Sequence, residues 1–565
     1  ALLRQEHLQD APGAAEDFKR ILKIDARHVE SLWQIAHLAR AAGDAAAAAS
    51  ALDRFIAAAP DDPRAADARM ELAAAYEATQ DRARAIETLR RAAALRPGDP
   101  LPLERLVDLH TRLGEWRSAV EILRDWEGRH PDARDRAALQ LRIGALLRDV
   151  GRDATGAAVA FRRAAELDPL GEGGRALVAL HDAQSDGRGA VQTIEREIAE
   201  LRGILARDPL DEPRLARLED FLTELGRRAP SPVVAASLGA VAEVRMLLRQ
   251  QDAEASGPVA SRAAPRPLAI RSGEGGSAFW AQLAFPGALG FRAEIWPHLV
   301  ESAQALFPPT ATAPPRRARL LSPGDEPRLA WIFALAASAG LGGLHIYMST
   351  AVSDAGPAVI IEEPEPALVL GVAALEPTAA TRFLVGRAVG ILRANAAVID
   401  RVEPASLAPL FACAALTVGA KLPSEVARPD DVTERVVGKA MSRRDRKALV
   451  LQSSRFGFES IDPTKWGHAV RRTADRLGLL VAGDLGAAAR AAARTDPARW
   501  KSAVRKAADR LGHMLGGEGG AAPSDEAAPS SPVEEVRRSE RALDLLRFGL
   551  GDVYPALRRE IEGDL

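Results

Sequence analysis

Over residues 30–131 the apolar positions recur three times in the same order, at the three-and-four spacing of a helix rather than the alternation of a strand. Leu32, Arg69 and Leu103 fill an early column that the charged Arg69 interrupts. Ile35, Leu72 and Leu106 fill the next, and Ala36, Ala73 and Val107 a column of smaller side chains. A second set follows, with Ala48, Ala85 and Ala119, then Leu52, Leu89 and Leu123, and each round closes at Pro60, Pro97 or Pro131. Small residues let two helices approach, larger ones fill the grooves between neighbouring pairs, and a proline ends the second helix. The pattern therefore predicts three helix pairs. It continues less regularly: successive closing prolines lie 37, 34, 38 and 40 residues apart up to Pro209. Further helices are expected at 137–150, 157–166, 174–183, 190–206, 212–227 and 232–250. Ala14, Phe18 and Ile21 fit the second-helix columns with no complete first helix before them, so the chain is expected to begin inside a repeat.

These columns resemble the tetratricopeptide repeat, a helix pair of about 34 residues that stacks into an α-solenoid. The resemblance implies that residues 1–250 form such a solenoid and that the first helix of each pair lines a concave groove where a protein or peptide partner binds. The residues it places there are Trp33, His37, Arg40, Met70, Glu77, Glu104, Arg105, Asp108 and Arg112. Trp33 would be either an exposed anchor or a packing residue. The family's chaperone-tail clamp uses Lys, Asn and Arg in these columns, whereas this chain has Glu104 and Asp108, so capture of a terminal carboxylate is not expected.

Residues 251–267 turn to Ala, Ser, Gly, Arg and Pro without periodicity and read as a linker. Beyond it, 268–565 reads as a helix-rich α+β domain. Short strands are expected at 344–348, 358–361 and 367–371, and helices at 292–306, 326–339, 377–395, 404–417, 431–452, 466–481 and 497–511. The stretch 516–532 reads as a mobile loop, and 534–559 as a final helical part. This order, with Thr473-Ala474-Asp475-Arg476-Leu477-Gly478 in a late helix, is similar to gluzincin metallopeptidases of the CaaX-protease (HtpX-like) kind over roughly 290–560, a zincin-like fold. That family binds zinc through His-Glu-x-x-His and a later acidic ligand. Here the resemblance puts Gly386 and Gly390 at the histidine positions, Arg387 at the glutamate, and Arg471, four before Asp475, at the third ligand. None of these can bind zinc or act as a base, so the resemblance implies a pseudo-peptidase. Independently, no two of the ten histidines lie three to five residues apart, so no helix can present a two-histidine zinc face. No metal and no cofactor are expected.

Composition narrows the remaining classes. The chain has 565 residues, more than one core usually serves, and a net charge of −2 that gives no global reason for a nucleic-acid partner. Cys413 is the single cysteine, which excludes an internal disulfide and suits a cytoplasmic location. No run of residues is apolar enough for a membrane span, and the first residues do not form a signal peptide. Gly273, Gly275 and Ala278 match a dinucleotide loop with Glu294 about twenty residues on, but the preceding apolar run is too short and Pro286-Gly287 leaves no room for the crossover helix, so a turn is expected. Lys439, Arg443, Arg444, Arg446 and Lys447 form a basic cluster without aromatics and read as a solvated helix face. The chain is thus expected to be a non-catalytic interaction scaffold. The competing readings are an enzyme with an unrecognised site in the second domain, and an architectural spacer of a longer chain.

Overall fold

Aspartates and prolines set where the helices begin and end. The computed structural model describes residues 1, 4, 10–249, 274–289, 294–309, 314–352, 358–361, 366–420, 422, 426–453, 462–495 and 531–562. Asp44, Asp81 and Asp153 each accept a backbone N–H three residues on, at 2.9, 3.2 and 2.8 Å, which satisfies a donor that the first turn leaves unpaired. Pro60, Pro97 and Pro131 directly follow the capping residues Ala59, Arg96 and His130.

Contacts divide the chain into two units, Ala1–Glu197 and Ile198–Leu565. The first contains α1 (Ala11–Ile24), α2 (Val29–Ala41), α3 (Ala45–Ala58), α4 (Ala65–Ala78), α5 (Arg82–Leu95), α6 (Leu101–Arg112) and α7 (Trp116–Arg129). It continues with α8 (Ala133–Asp149), α9 (Ala154–Leu167), α10 (Gly173–Ala183) and the first part of α11 (Gly187–Leu205). From α1 to α10 each helix packs on the next in sequence. The columns read from the sequence are the core: Ala36, Ala73, Val107, Ala48, Ala85, Ala119, Leu52, Leu89 and Leu123 are all buried. Arg69, the charge in the apolar column, is half-buried and donates to the Ala65 carbonyl at 3.0 Å. Burial, and then Arg91, holds its pKa below the usual arginine value.

The second unit begins with the rest of α11, then α12 (Glu212–Arg228), α13 (Pro232–Arg249), α14 (Glu274–Leu283), α15 (Val300–Leu306) and α16 (Ala330–Ser338). Four strands, β1 (Arg319–Leu321), β2 (His345–Met348), β3 (Ala358–Ile361) and β4 (Ala367–Leu370), form a sheet in the order β1-β2-β4-β3. β2 and β4 run parallel, with Ile346 opposite Leu368, and the two outer pairings are antiparallel. All four residues of β4 are buried, as befits a central strand covered on both faces. Helices α17 (Ala379–Arg393), α18 (Ala397–Arg401), α19 (Ala408–Thr417), α20 (Asp431–Ala440), α21 (Arg443–Ser453), α22 (Pro463–Ala482), α23 (Leu485–Arg494), α24 (Pro532–Arg537), α25 (Glu540–Leu550) and α26 (Val553–Glu562) follow. Trp296, Phe411 and Trp466 centre the main core, the two indoles 4.7 Å apart.

Several sequence-based boundaries move. Helices α12 and α13, expected to close the solenoid, fall in the second compact unit, where α13 packs against α12 and also against α23, α25 and α26. The Glu243 carboxylate of α13 accepts the Leu485 N–H at 2.6 Å, at the start of α23. Helical periodicity alone cannot show which neighbour a helix buries its face against. The single helix expected at 431–452 is two, because Met441 is extended. Likewise 534–559 is three helices, and Pro532, assigned to the loop, opens α24. β1 and α23 carry no signal strong enough to have been read: β1 is three residues long, and six of the ten residues of α23 are alanine. The linker 251–267, the helix expected at 497–511 and positions 516–530 of the expected loop lie outside the described residues.

Candidate functional site

The first helices α2, α4, α6 and α8 carry most of the residues singled out from the sequence, and the structure joins them by ion pairs one repeat apart. Arg40 on α2 meets Glu71 on α4 at 2.9 Å, with His37 Nδ1 3.8 Å from the same carboxylate. Glu77 on α4 pairs with Arg112 on α6, and Asp108 on α6 with Arg142 on α8 at 2.6 Å. Arg105 donates to the Met70 carbonyl at 3.4 Å. Because the columns repeat with the helix pair, a charge in one repeat meets its opposite in the next.

An open hollow of about 330 Å³ lies between α2, α3 and α4, with Arg105 of α6 at its edge. Its lining includes Ala36, Arg40, Met70, Glu71, Ala74 and Arg105. Three of the sequence-predicted residues, Arg40, Met70 and Arg105, thus converge, with an apolar floor of small side chains and two guanidiniums at the rim. Glu71 Oε1 is taken by Arg40, whereas Oε2 is buried, lies 3.8 Å from His37 Nδ1, and has no hydrogen-bond partner among the described residues. Such an oxygen is costly to leave unmet. The hollow therefore presents one buried acceptor between two exposed cations. Glu71, Ala74 and Gly43 are the contributors that column matching underrated; their signal is the small residue one turn from each charge.

Other predicted residues lie elsewhere. Trp33 is half-buried, 5.1 Å from Phe55 of its own helix pair and edge-on to His37 at 4.4 Å, with the Arg64 guanidinium 5.2 Å away. Its indole packs within its own helix pair while keeping part of its surface exposed, because an indole on the first turns of α2 falls over the partner helix. Glu104, half-buried, and Glu77, Asp108 and Arg112 stand outside the hollow on α4 and α6.

The positions compared with a peptidase do different physical work. Gly386 and Gly390 face α22: a Cβ on Gly386 would come within 2.7 Å of Val481, and one on Gly390 within 2.9 Å of the Ala474 backbone. A Cβ on Gly478 would reach the Phe383 carbonyl at 2.6 Å. The glycines are where two helix backbones cross closely, so the spacing that suggested lost ligands is a packing seat. Arg387 bonds Asp475 at 2.9 Å and pairs with Asp400. Burial works against its charge, but the two carboxylates outweigh it and hold the guanidinium above its usual range. Burial likewise pushes Asp400 up, but Arg387 outweighs it and brings the carboxyl down to about 2. Arg471 closes α18, donating to the Ile399 and Val402 carbonyls, both at 2.8 Å; burial lowers its pKa first, with Asp400 opposing. Among the described residues no group of three or more His, Cys, Asp or Glu is placed to hold a metal ion. His468 stands exposed on α22. In the candidate dinucleotide segment, Gly275 and Ala278 lie within α14 rather than in a phosphate-binding loop, and Gly273 lies outside the described residues. No helix of the described residues is long and apolar enough to cross a membrane.

A family model described as tetratricopeptide repeat matches residues 67–99, most of α4 and α5. Among solved structures, one of MamA is 24% identical, covering 29% of this chain and 92% of its own, with a TM-score of 0.23. MamA from Desulfovibrio magneticus RS-1 is 16% identical over 30% of this chain and 93% of its own, at 0.22. The C-terminal part of a TPR repeat-containing protein from Cytophaga hutchinsonii is 13% identical over 42% and 91%, at 0.26. Comparison with curated proteins gave no match. Residues 67–99 thus match a tetratricopeptide repeat, and the neighbouring helix pairs of the first unit repeat the same columns.

Proposed function

We propose that this protein is an interaction scaffold whose first unit holds a peptide segment of a partner protein in the hollow between α2, α3 and α4, beside Arg105 of α6. The observation that carries the reading is the buried Glu71 Oε2 without a hydrogen-bond partner among the described residues, set between the exposed Arg40 and Arg105 over an alanine floor. A peptide backbone or an amine supplies the missing donor, its carbonyls meet the guanidiniums, and small apolar side chains cover the floor. The second unit is, on this reading, non-catalytic: where the peptidase resemblance would need ligands and a base, it has a helix crossing and a buried charge network.

Peptides selected from a displayed library on the full chain test this. Their affinity, measured by fluorescence anisotropy, falls at least about tenfold in Ala74→Glu and in Arg105→Glu, a loss of about 1.4 kcal/mol or more, and is unchanged in Arg175→Glu on α10. Equal affinities in all variants would remove the hollow from the account.

A further inference from the structure

Helix α21 carries a cationic stripe that meets no carboxylate among the described residues, beside an α20 that holds Asp431 and Glu434 as well as Arg435 and Lys439. On α21, Arg443, Arg446, Lys447, Val450 and Leu451 fall at i, i+3, i+4, i+7 and i+8, which is one side of a helix. All five are exposed, Val450 by 51% and Leu451 by 61%. The opposite side faces inward: Leu449 is fully buried. Asp445, the helix's one acid, turns to His298 Nδ1 at 2.9 Å and to the Ser442 hydroxyl. Arg444 is exposed beside the stripe, and Arg435, Lys439 and Val432 are exposed on α20. Arg446 also donates to the Gly438 carbonyl, which ties the start of α21 to the end of α20. Among the described residues, none of Arg435, Lys439, Arg443, Arg444 and Lys447 forms an ion pair with a carboxylate.

This arrangement works against the helix itself. Arg443 and Arg444 occupy the first turn of α21, at the positive end of its peptide dipole, and Arg443 lies three and four residues from two further cations. Among the described residues no carboxylate matches these charges, which leaves them available to a partner. Two features select among anionic partners. The stripe has no aromatic side chain on which a base could stack, and its cations run directly into two exposed aliphatics. A lipid surface takes both at once, phosphates against the guanidiniums and the aliphatics at the acyl boundary. The whole-chain charge of −2 does not oppose this, because screening over about 10 Å leaves the local patch in control.

We propose that the exposed stripe of α21 is a docking surface for an anionic phospholipid bilayer, which the protein binds peripherally. Sedimentation of the full chain with phosphatidylcholine vesicles, with and without phosphatidylglycerol, tests it. Binding is expected only with phosphatidylglycerol and falls as salt rises. The variant R443E/R446E/K447E weakens it by about tenfold or more. V450S/L451S weakens it several-fold while leaving the dependence on phosphatidylglycerol. All substituted side chains are exposed, and unchanged melting temperatures confirm that the variants fold. Equal sedimentation with neutral and anionic vesicles, no sedimentation with either, or full binding by the charge-reversed variant would overturn the proposal. So would binding to a short DNA duplex or to polyglutamate without any binding to vesicles, which would assign the patch to that partner instead.

Discussion

Arg541 grips Asp475 with two parallel hydrogen bonds, Nε to Oδ2 at 2.9 Å and Nη2 to Oδ1 at 2.7 Å. Asp475 also accepts from Arg387 and is itself buried, so one carboxylate on α22 joins α17 to α25. Two parallel bonds fix the angle of the guanidinium as well as its distance. Helices α25 and α26 are thereby held against α22, and their Leu545, Leu546 and Leu557 are buried.

Removing one member of this network leaves a buried charge uncompensated. Asp475→Asn is expected to destabilise the protein by about 3–5 kcal/mol, measured by urea unfolding followed through tryptophan fluorescence. Arg541→Met should cost less than Asp475→Asn, because Arg387 still compensates the carboxylate. Hydrogen exchange of 532–562 should rise in both variants before that of α17.

Glycine substitutions separate packing from helix propensity. Gly438→Ala on α20 meets nothing within 4 Å and should stabilise by about 0.5–1 kcal/mol through propensity alone. Gly478→Ala gains the same propensity but forces a Cβ against the Phe383 carbonyl, and should be net destabilising by about 1–3 kcal/mol. A Gly478→Ala protein as stable as the parent would mean that α17 and α22 do not cross closely.

Two carboxyls give opposite pH slopes. Burial raises Glu243 to about 7, with Asp484 adding and the Leu485 N–H and Arg558 opposing. A folded-state pKa above the unfolded one contributes stability at low pH that is lost as pH rises through about 7. Glu243→Gln should therefore flatten the decline between pH 5 and 7.5, worth about 1–3 kcal/mol. Asp400, held down at about 2, contributes above pH 4 and loses that contribution as pH falls toward 2, by about 2 kcal/mol. Asp400→Asn should remove this acid-side slope in denaturant titrations run at successive pH values.

The ion pairs between repeats are exposed on at least one side, as at Arg112 and Arg40, and should matter little to stability. A double-mutant cycle on Glu77 and Arg112 is expected to give a coupling below about 1 kcal/mol. Leu89→Ala, at a fully buried column position, should cost about 2–5 kcal/mol by thermal or chemical unfolding.

Local chemistry was enough for the helix pairs. The columns from Leu32 to Leu123, the closing prolines and the strands near 345, 358 and 367 follow from apolar spacing and turn residues, which act within a few positions of themselves. Arg40, Met70 and Arg105 could be placed on one face because each repeat copies the last. Position 198 as the unit boundary, the inward turn of Trp33 and the seating of Gly386 and Gly390 against α22 could not be read in the same way. Each is decided by a residue outside its own helix: Leu485 for Glu243, Phe55 for Trp33, Ala474 for Gly390. A glycine at a helix crossing and a glycine in place of a lost ligand look identical in sequence, since both are only the absence of a side chain. What fills that space is a property of the second helix, and tertiary packing alone supplied it.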